Sequence, residues 1–178
     1  MLAALAACKR DGADTPTAGQ PAASAAKPAA TAPAKPDSAP QFPALQVETL
    51  DGSTFDLAEQ RGKWVVVNYW ATWCGPCLKE MPELSALDAM REHIVVVGLA
   101  YEDNTPEAMR EFMKEHPVVY PIALLDVYNP PKDFEPPRGL PMTYLITPEG
   151  KVARKYAGPV TARMLEEGIA EAGGPAQG

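Results

Sequence analysis

Trp64-Val65-Val66-Val67-Asn68-Tyr69-Trp70-Ala71-Thr72-Trp73-Cys74-Gly75-Pro76-Cys77 is the stretch whose reading decides the fold. Its first seven residues form an apolar, β-branched run of strand length, and a Cys-x-x-Cys follows where a helix begins. Disulfide exchange needs a first cysteine that ionises near neutral pH and stays exposed, with a partner waiting within bonding reach. A helix N-terminus supplies unpaired N–H groups and a positive dipole end, and motifs of this kind lower a cysteine pKa to roughly 3.5–7.5. Cys74 is therefore the expected nucleophile, and Cys77, one turn into the helix and more buried, the expected resolving thiol. Two alternatives stand beside this reading: half of a zinc site, which needs two further ligands, or inert core thiols. The only histidines, His93 and His116, read as helix-end residues. The redox reading expects no metal and no cofactor beyond the redox-active disulfide.

Working outward, Leu45-Gln46-Val47-Glu48-Thr49 alternates, Asp51-Gly52 gives a turn and Thr54-Phe55-Asp56-Leu57 returns, so a β-hairpin opens the domain near Gln41. Downstream, a helix is predicted from about Pro76 to Arg91, followed by Ile94–Ala100, an apolar run of the kind parallel strands show when covered on both faces. Thr105-Pro106-Glu107 supplies an N-cap, a proline at the first helical position and a first-turn acid, for a helix ending before Pro117. Tyr120 to Leu125 is a short strand candidate. Met142–Ile146, the turn Pro148-Glu149-Gly150 and Val152–Ala157 read as an antiparallel hairpin, with a final helix from Thr161 to about Ala172. Strands interleaved with helices predict an α/β sheet with helices on both faces.

A chain of 178 residues accommodates one ordinary domain with tails. Its net charge of −7 and its lack of any Lys/Arg cluster argue against nucleic-acid or anionic-lipid binding, which needs a basic footprint. No run of about 18 apolar residues occurs, so no segment here reads as a spanning helix. Lys9 to Pro40 is more than half Ala and Pro and holds no aromatic or branched aliphatic residue, so it cannot bury a core. Its spaced prolines favour extended structure, and it reads as a semi-rigid tether, with a tail of no role as the alternative. Leu5-Ala6-Ala7-Cys8 looks like the end of a bacterial lipoprotein signal, in which a diacylglycerol is attached to the cysteine. A secretory signal needs a basic n-region and an apolar region of ~7–15 residues, whereas Met1 to Ala7 reads as only the tail of one, with the true start upstream. A chance Ala-rich start with a free thiol is the alternative. The expected organisation is thus a signal remnant with lipidated Cys8 over 1–8, a disordered tether over 9–40, the catalytic domain over 41–173 and a flexible tail over 174–178.

The run from Val65 through Cys77-Leu78-Lys79-Glu80-Met81-Pro82 resembles the thioredoxin superfamily, and within it the membrane-anchored TlpA/ResA/CcmG-like thiol–disulfide oxidoreductases. Gln41-Phe42-Pro43, Leu50-Asp51-Gly52, Arg61-Gly62-Lys63 and Gly139-Leu140-Pro141-Met142-Thr143-Tyr144-Leu145-Ile146 match as well, so the resemblance spans Gln41 to about Ala172. It implies a thioredoxin-like central mixed sheet with helices on both faces and an N-terminal β-hairpin. It implies that Pro141 is cis and lies against the dithiol, that backbone beside it, at Leu140, pairs with a bound substrate chain, and that Trp73, Gly75 and Pro76 complete the substrate surface. Pro82 matches the proline that kinks the active-site helix. Thioredoxin carries a buried aspartate where this chain has Asn68, and Glu80, on the same helix face as Cys77, looks like the group's active-site glutamate. A solvated helix glutamate is the competing reading of Glu80. Where the family carries a short helix, Val127 to Arg138 is too rich in proline for one.

The function this resemblance implies is that of an extracytoplasmic enzyme, on the periplasmic side, reducing disulfides of partner proteins, with cytochrome c maturation among its settings. Gly75-Pro76 is the dipeptide of reducing thioredoxins. The implied partners are disulfide-bearing or thiol proteins, an upstream membrane electron donor and a membrane reached through the lipid anchor, for a monomeric protein. Two other classes compete. A thiol peroxidase of the peroxiredoxin group would need a Thr-x-x-Cys nucleophile, which is missing, and a Sco-like copper chaperone a Cys-x-x-x-Cys and a histidine near Pro141, although soft thiolates bind Cu(I).

Overall fold

The computed structural model describes residues 41–175. The expectations placed on Cys8, on the tether and on residues 176–178 lie outside them. Strands β1 (Gln46–Glu48) and β2 (Thr54–Asp56) pair antiparallel, as the alternating pattern predicts. Leu57 does not continue the returning strand. The Asp56 carboxylate accepts from the Ala58 N–H at 2.8 Å, a side-chain cap that starts a 3₁₀ helix over Leu57–Gln60.

The main sheet is built from β3 (Trp64–Trp70), β4 (Ile94–Ala100), β5 (Ile122–Leu124), β6 (Met142–Ile146) and β7 (Val152–Ala157), in the order β5-β4-β3-β6-β7. β3 runs parallel to β4 and β4 to β5, whereas β6 is antiparallel to both β3 and β7. Every residue of β3 is buried, and its side chains alternate between two cores. Trp64, Val66 and Trp70 join Ile94, Val96, Ala100 and Leu145 on one face; Val65, Val67 and Tyr69 join Val97, Leu99, Tyr144 and Ile146 on the other.

Helical cover on the two faces is uneven. Helices α1 (Gly75–Met90), α2 (Pro106–Glu115) and α3 (Ala162–Glu171) all place buried residues in the first core, among them Met81, Leu84, Met109, Leu165 and Ile169. Right-handed crossovers that step in one direction, β3 to β4 to β5, put α1 and α2 on the same side. The second face is closed by Leu57 of the 3₁₀ helix, by Leu45 and Phe55 of the N-terminal segment and by Phe134 from the proline-rich stretch, which forms no helix. Phe134 stands edge-on to Tyr144 at 5.1 Å between centroids.

β5 is shorter than the Tyr120–Leu125 expectation because Pro121 has no N–H to donate; its carbonyl instead accepts from Gly98 at 2.9 Å. Leu50 N–H donates to Ile122 O at 2.8 Å, so the N-terminal hairpin is tied to this edge. At the other end the chain stays bonded one residue past the boundary expected at 173: Gly174 N–H donates to Ile169 O at 2.8 Å.

Candidate functional site

Strand β3 ends at Trp70 and α1 starts at Gly75, so the intervening loop presents the cysteines where the sheet meets the helix N-terminus. Cys74 is the N-cap of α1, in extended conformation, and Pro76 sits in the first turn, where a missing N–H costs nothing. Cys74 and Cys77 are disulfide-bonded. The Cys77 N–H points at Cys74 Sγ, with N···S 3.3 Å. That bond and the helix dipole stabilise a thiolate on Cys74 once the pair is reduced. Cys77 is 0% exposed and Cys74 only 5%, less open than the sequence reading anticipated. Around them Trp73 is 69% exposed, and Gly75 and Pro76 are exposed too.

Glu80 is buried, 4% exposed, and does not face solvent. Cys77, Glu80, Met81, Leu84 and Leu87 form the buried stripe of α1, spaced three and four apart, so the carboxyl lies one turn beyond Cys77 on the same face. Its two oxygens each accept one hydrogen bond at 2.8 Å, Oε1 from Asn68 Nδ2 and Oε2 from the Val160 N–H. Asn68 also donates to Thr143 Oγ1 at 3.0 Å, leaving its Oδ1 buried with no partner. Burial pushes the Glu80 pKa up; the bonds from Val160 and Asn68 pull against that shift, and nearby Glu83 adds to it. A carboxyl held this way takes up or releases a proton closer to neutral pH than an exposed one does.

The Leu140–Pro141 peptide is cis. Register explains its place: Tyr69 pairs with Met142 across β3 and β6, so Pro141 lies at the sheet end from which the dithiol loop departs. Leu140 is half-buried and packs against both cores. A cavity of about 550 Å³ opens beside this peptide, lined by Pro141, Leu140 and Met142 and walled by the proline-rich segment and the end of β7.

Several site residues escaped the sequence reading. Glu102, just past β4, accepts from both Thr72 N–H (2.8 Å) and Thr72 Oγ1 (2.9 Å), clamping the loop two residues before Cys74. Thr143 lies in the matching stretch around Pro141 but had no role assigned, and the Val160 N–H carries no motif; only the fold brings them to Asn68 and Glu80. His93 precedes β4 and His116 caps α2, stacked on Phe112 at 4.2 Å. Among the described residues no group of three or more His, Cys, Asp or Glu is placed to hold a metal ion.

Comparison with known proteins agrees with this geometry. The Redoxin family model matches residues 34–172. The thiol–disulfide oxidoreductase ResA of Oceanobacillus iheyensis is 35% identical over 132 residues, covering 73% of this chain and 68% of that protein. ResA of Bacillus subtilis is 33% identical over 135 residues, 70% of each. Among solved structures, a thioredoxin-family thiol:disulfide interchange protein from Chlorobium tepidum superimposes with a TM-score of 0.63 at 23% identity, covering 78% of this chain and 99% of that one, and shares the fold.

Proposed function

The chain belongs to the Redoxin family as a thiol–disulfide oxidoreductase of the ResA type, and on that footing we propose that it reduces disulfides in partner proteins, with Cys74 attacking and Cys77 resolving. The observation that carries the order of attack is the difference in burial between the two sulfur-bearing residues: of the pair, only Cys74 keeps any exposure. In the forward reaction the Cys74 thiolate attacks one sulfur of the partner disulfide, and the other partner sulfur leaves as a thiolate and takes a proton. Cys77 then loses its proton and attacks Cys74 Sγ, releasing the second partner thiol and closing the Cys74–Cys77 disulfide seen here. Two electrons have passed to the partner, and the centre needs two from an upstream donor, for which a membrane dithiol protein is proposed.

Glu80 is the proposed acceptor of the Cys77 proton. Asn68 cannot take it, and burial already moves Glu80 toward the pH range in which such a transfer is useful. Trp73, Gly75, Pro76, Leu140 and Pro141 are proposed to form the surface on which the partner chain lies. The lipoprotein-like Leu5-Ala6-Ala7-Cys8 and the Pro/Ala-rich stretch behind it support a catalytic domain, 41–173, held on the periplasmic side of a bacterial membrane by lipidated Cys8, and the domain is proposed to act as a monomer. Cytochrome c maturation is one setting for that activity.

Trapping tests the roles. Cys77→Ser should accumulate mixed disulfides with partner proteins through Cys74, whereas Cys74→Ser should accumulate none. Equal yields from the two variants would contradict the assignment.

A further inference from the structure

The proline-rich stretch, which forms no helix, is fastened as a strap. Phe134 plugs the second core against Tyr144, the Asp133 carboxylate accepts from the Ala44 N–H at 2.8 Å, and Glu135 pairs with Lys155 of β7 at 2.6 Å. Lys155 Nζ also sits over the Tyr144 ring, 5.2 Å from its centroid. Glu135 takes a second cation, Arg138, at 3.2 Å, and that arginine is otherwise 92% exposed. The strap thereby forms one wall of the cavity beside Pro141, and β7 forms the other.

Among the described residues, Glu135, Arg138 and Lys155 are the only charged ones lining this cavity. Two cations share one carboxylate, so the rim carries a surplus positive charge on a chain whose net charge is −7. The rest of the lining carries no charge and includes the apolar side chains of Leu140, Pro141 and Met142. Resting on the reading of this protein as a disulfide reductase, we propose that the cavity is a specificity subsite that receives an acidic side chain, Glu or Asp, from the partner polypeptide near its reactive cysteine. A glutamate fits both parts: its methylenes lie on Leu140 and Met142, and its carboxylate meets Arg138 and Lys155. A lysine there faces two cations and a carboxylate already engaged by both, so the rim also works against basic partners. Lys155 is pre-positioned by Glu135 and the Tyr144 ring, so little side-chain freedom is lost on binding.

The test uses peptides with a single cysteine blocked as a mixed disulfide with 5-thio-2-nitrobenzoate, and with Glu, Gln or Lys placed at successive positions on either side. The reduced protein is mixed with each peptide and the rate constant is read from the released chromophore. At one or two adjacent positions the Glu peptide is expected to react about tenfold faster than the Lys peptide, an advantage that shrinks with added salt. Arg138→Glu, at an exposed side chain, should reduce the ratio severalfold, and Lys155→Glu should invert it. Equal Glu and Lys rates at every position, with the Gln peptides still reacting, would overturn the subsite and leave the reductase reading intact. Failure to react with any peptide would overturn both.

Discussion

Glu80→Gln removes one charge from a side chain that is 4% exposed while leaving its volume almost unchanged. Burial raises the Glu80 pKa above its ordinary value of 4.5. Between the unfolded and the folded pKa, the native protein therefore holds a proton that the unfolded chain has released. Stability is fully present below the unfolded value and falls as pH rises through that window. One proton of difference corresponds to a slope of up to about 1.4 kcal/mol per pH unit, and the accumulated loss stays constant above the folded pKa. The glutamine pays none of it. Its carbonyl still accepts from the Val160 N–H, and a flip of the Asn68 amide offers the orphaned Oδ1 to the new NH₂ group. Urea unfolding of the oxidised protein at pH values from about 4 to 8 measures the difference. The variant is expected to match wild type near the acid end and to exceed it at neutral pH, with the fall confined to the wild type. Parallel curves with a constant offset would refute the argument, because they would mean that folding does not shift the Glu80 proton equilibrium. The exchange rate should lose part of its pH dependence in the same variant, read as a whole curve because the thiols and the carboxyl titrate together.

Gly98→Ala is expected to lower stability by about 1–3 kcal/mol, because a Cβ there would stand 2.5 Å from Ile122 Cδ1 and 3.0 Å from Tyr120 Cε2; a drop in the urea midpoint at unchanged slope checks it. Lipidation of Cys8 predicts an acyl mass on that residue in protein extracted from the native membrane, and an unmodified soluble N-terminus would remove the anchor without touching the dithiol chemistry.

What the sequence disclosed and what it withheld divide by distance along the chain. The strands around Val65 and Ile94, the dithiol helix and α2 were legible because continuous apolar runs of strand length, a helix-start motif and the Thr105-Pro106 cap are local signals. The face that Glu80 occupies was legible too, three residues after Cys77 and four before Leu84. Its burial was not, since that depends on Val160, 80 residues away, and on Asn68 of β3, 12 residues before it. The Asp56 cap that ends β2 was a local signal outweighed by an alternation running on through Leu57. Uneven cover follows from crossover handedness acting on strand order, and no segment states that order by itself. The Glu135–Lys155 pair that fastens the strap joins residues 20 apart on elements whose meeting only the fold determines.

Redox equilibration of the Cys74–Cys77 pair is the most direct test. The protein is brought to equilibrium in glutathione buffers of graded potential, quenched with acid and alkylated, and the peptide carrying both cysteines is weighed by mass spectrometry. A two-electron centre predicts one transition between zero and two alkyl groups, a tenfold change in ratio for every ~30 mV, and under limiting reagent a reduced protein that is modified at Cys74 before Cys77. Absence of a transition across the biological range, or alkylation of Cys77 first, would contradict the assignment of this pair as the exchange centre with Cys74 as its outward thiol.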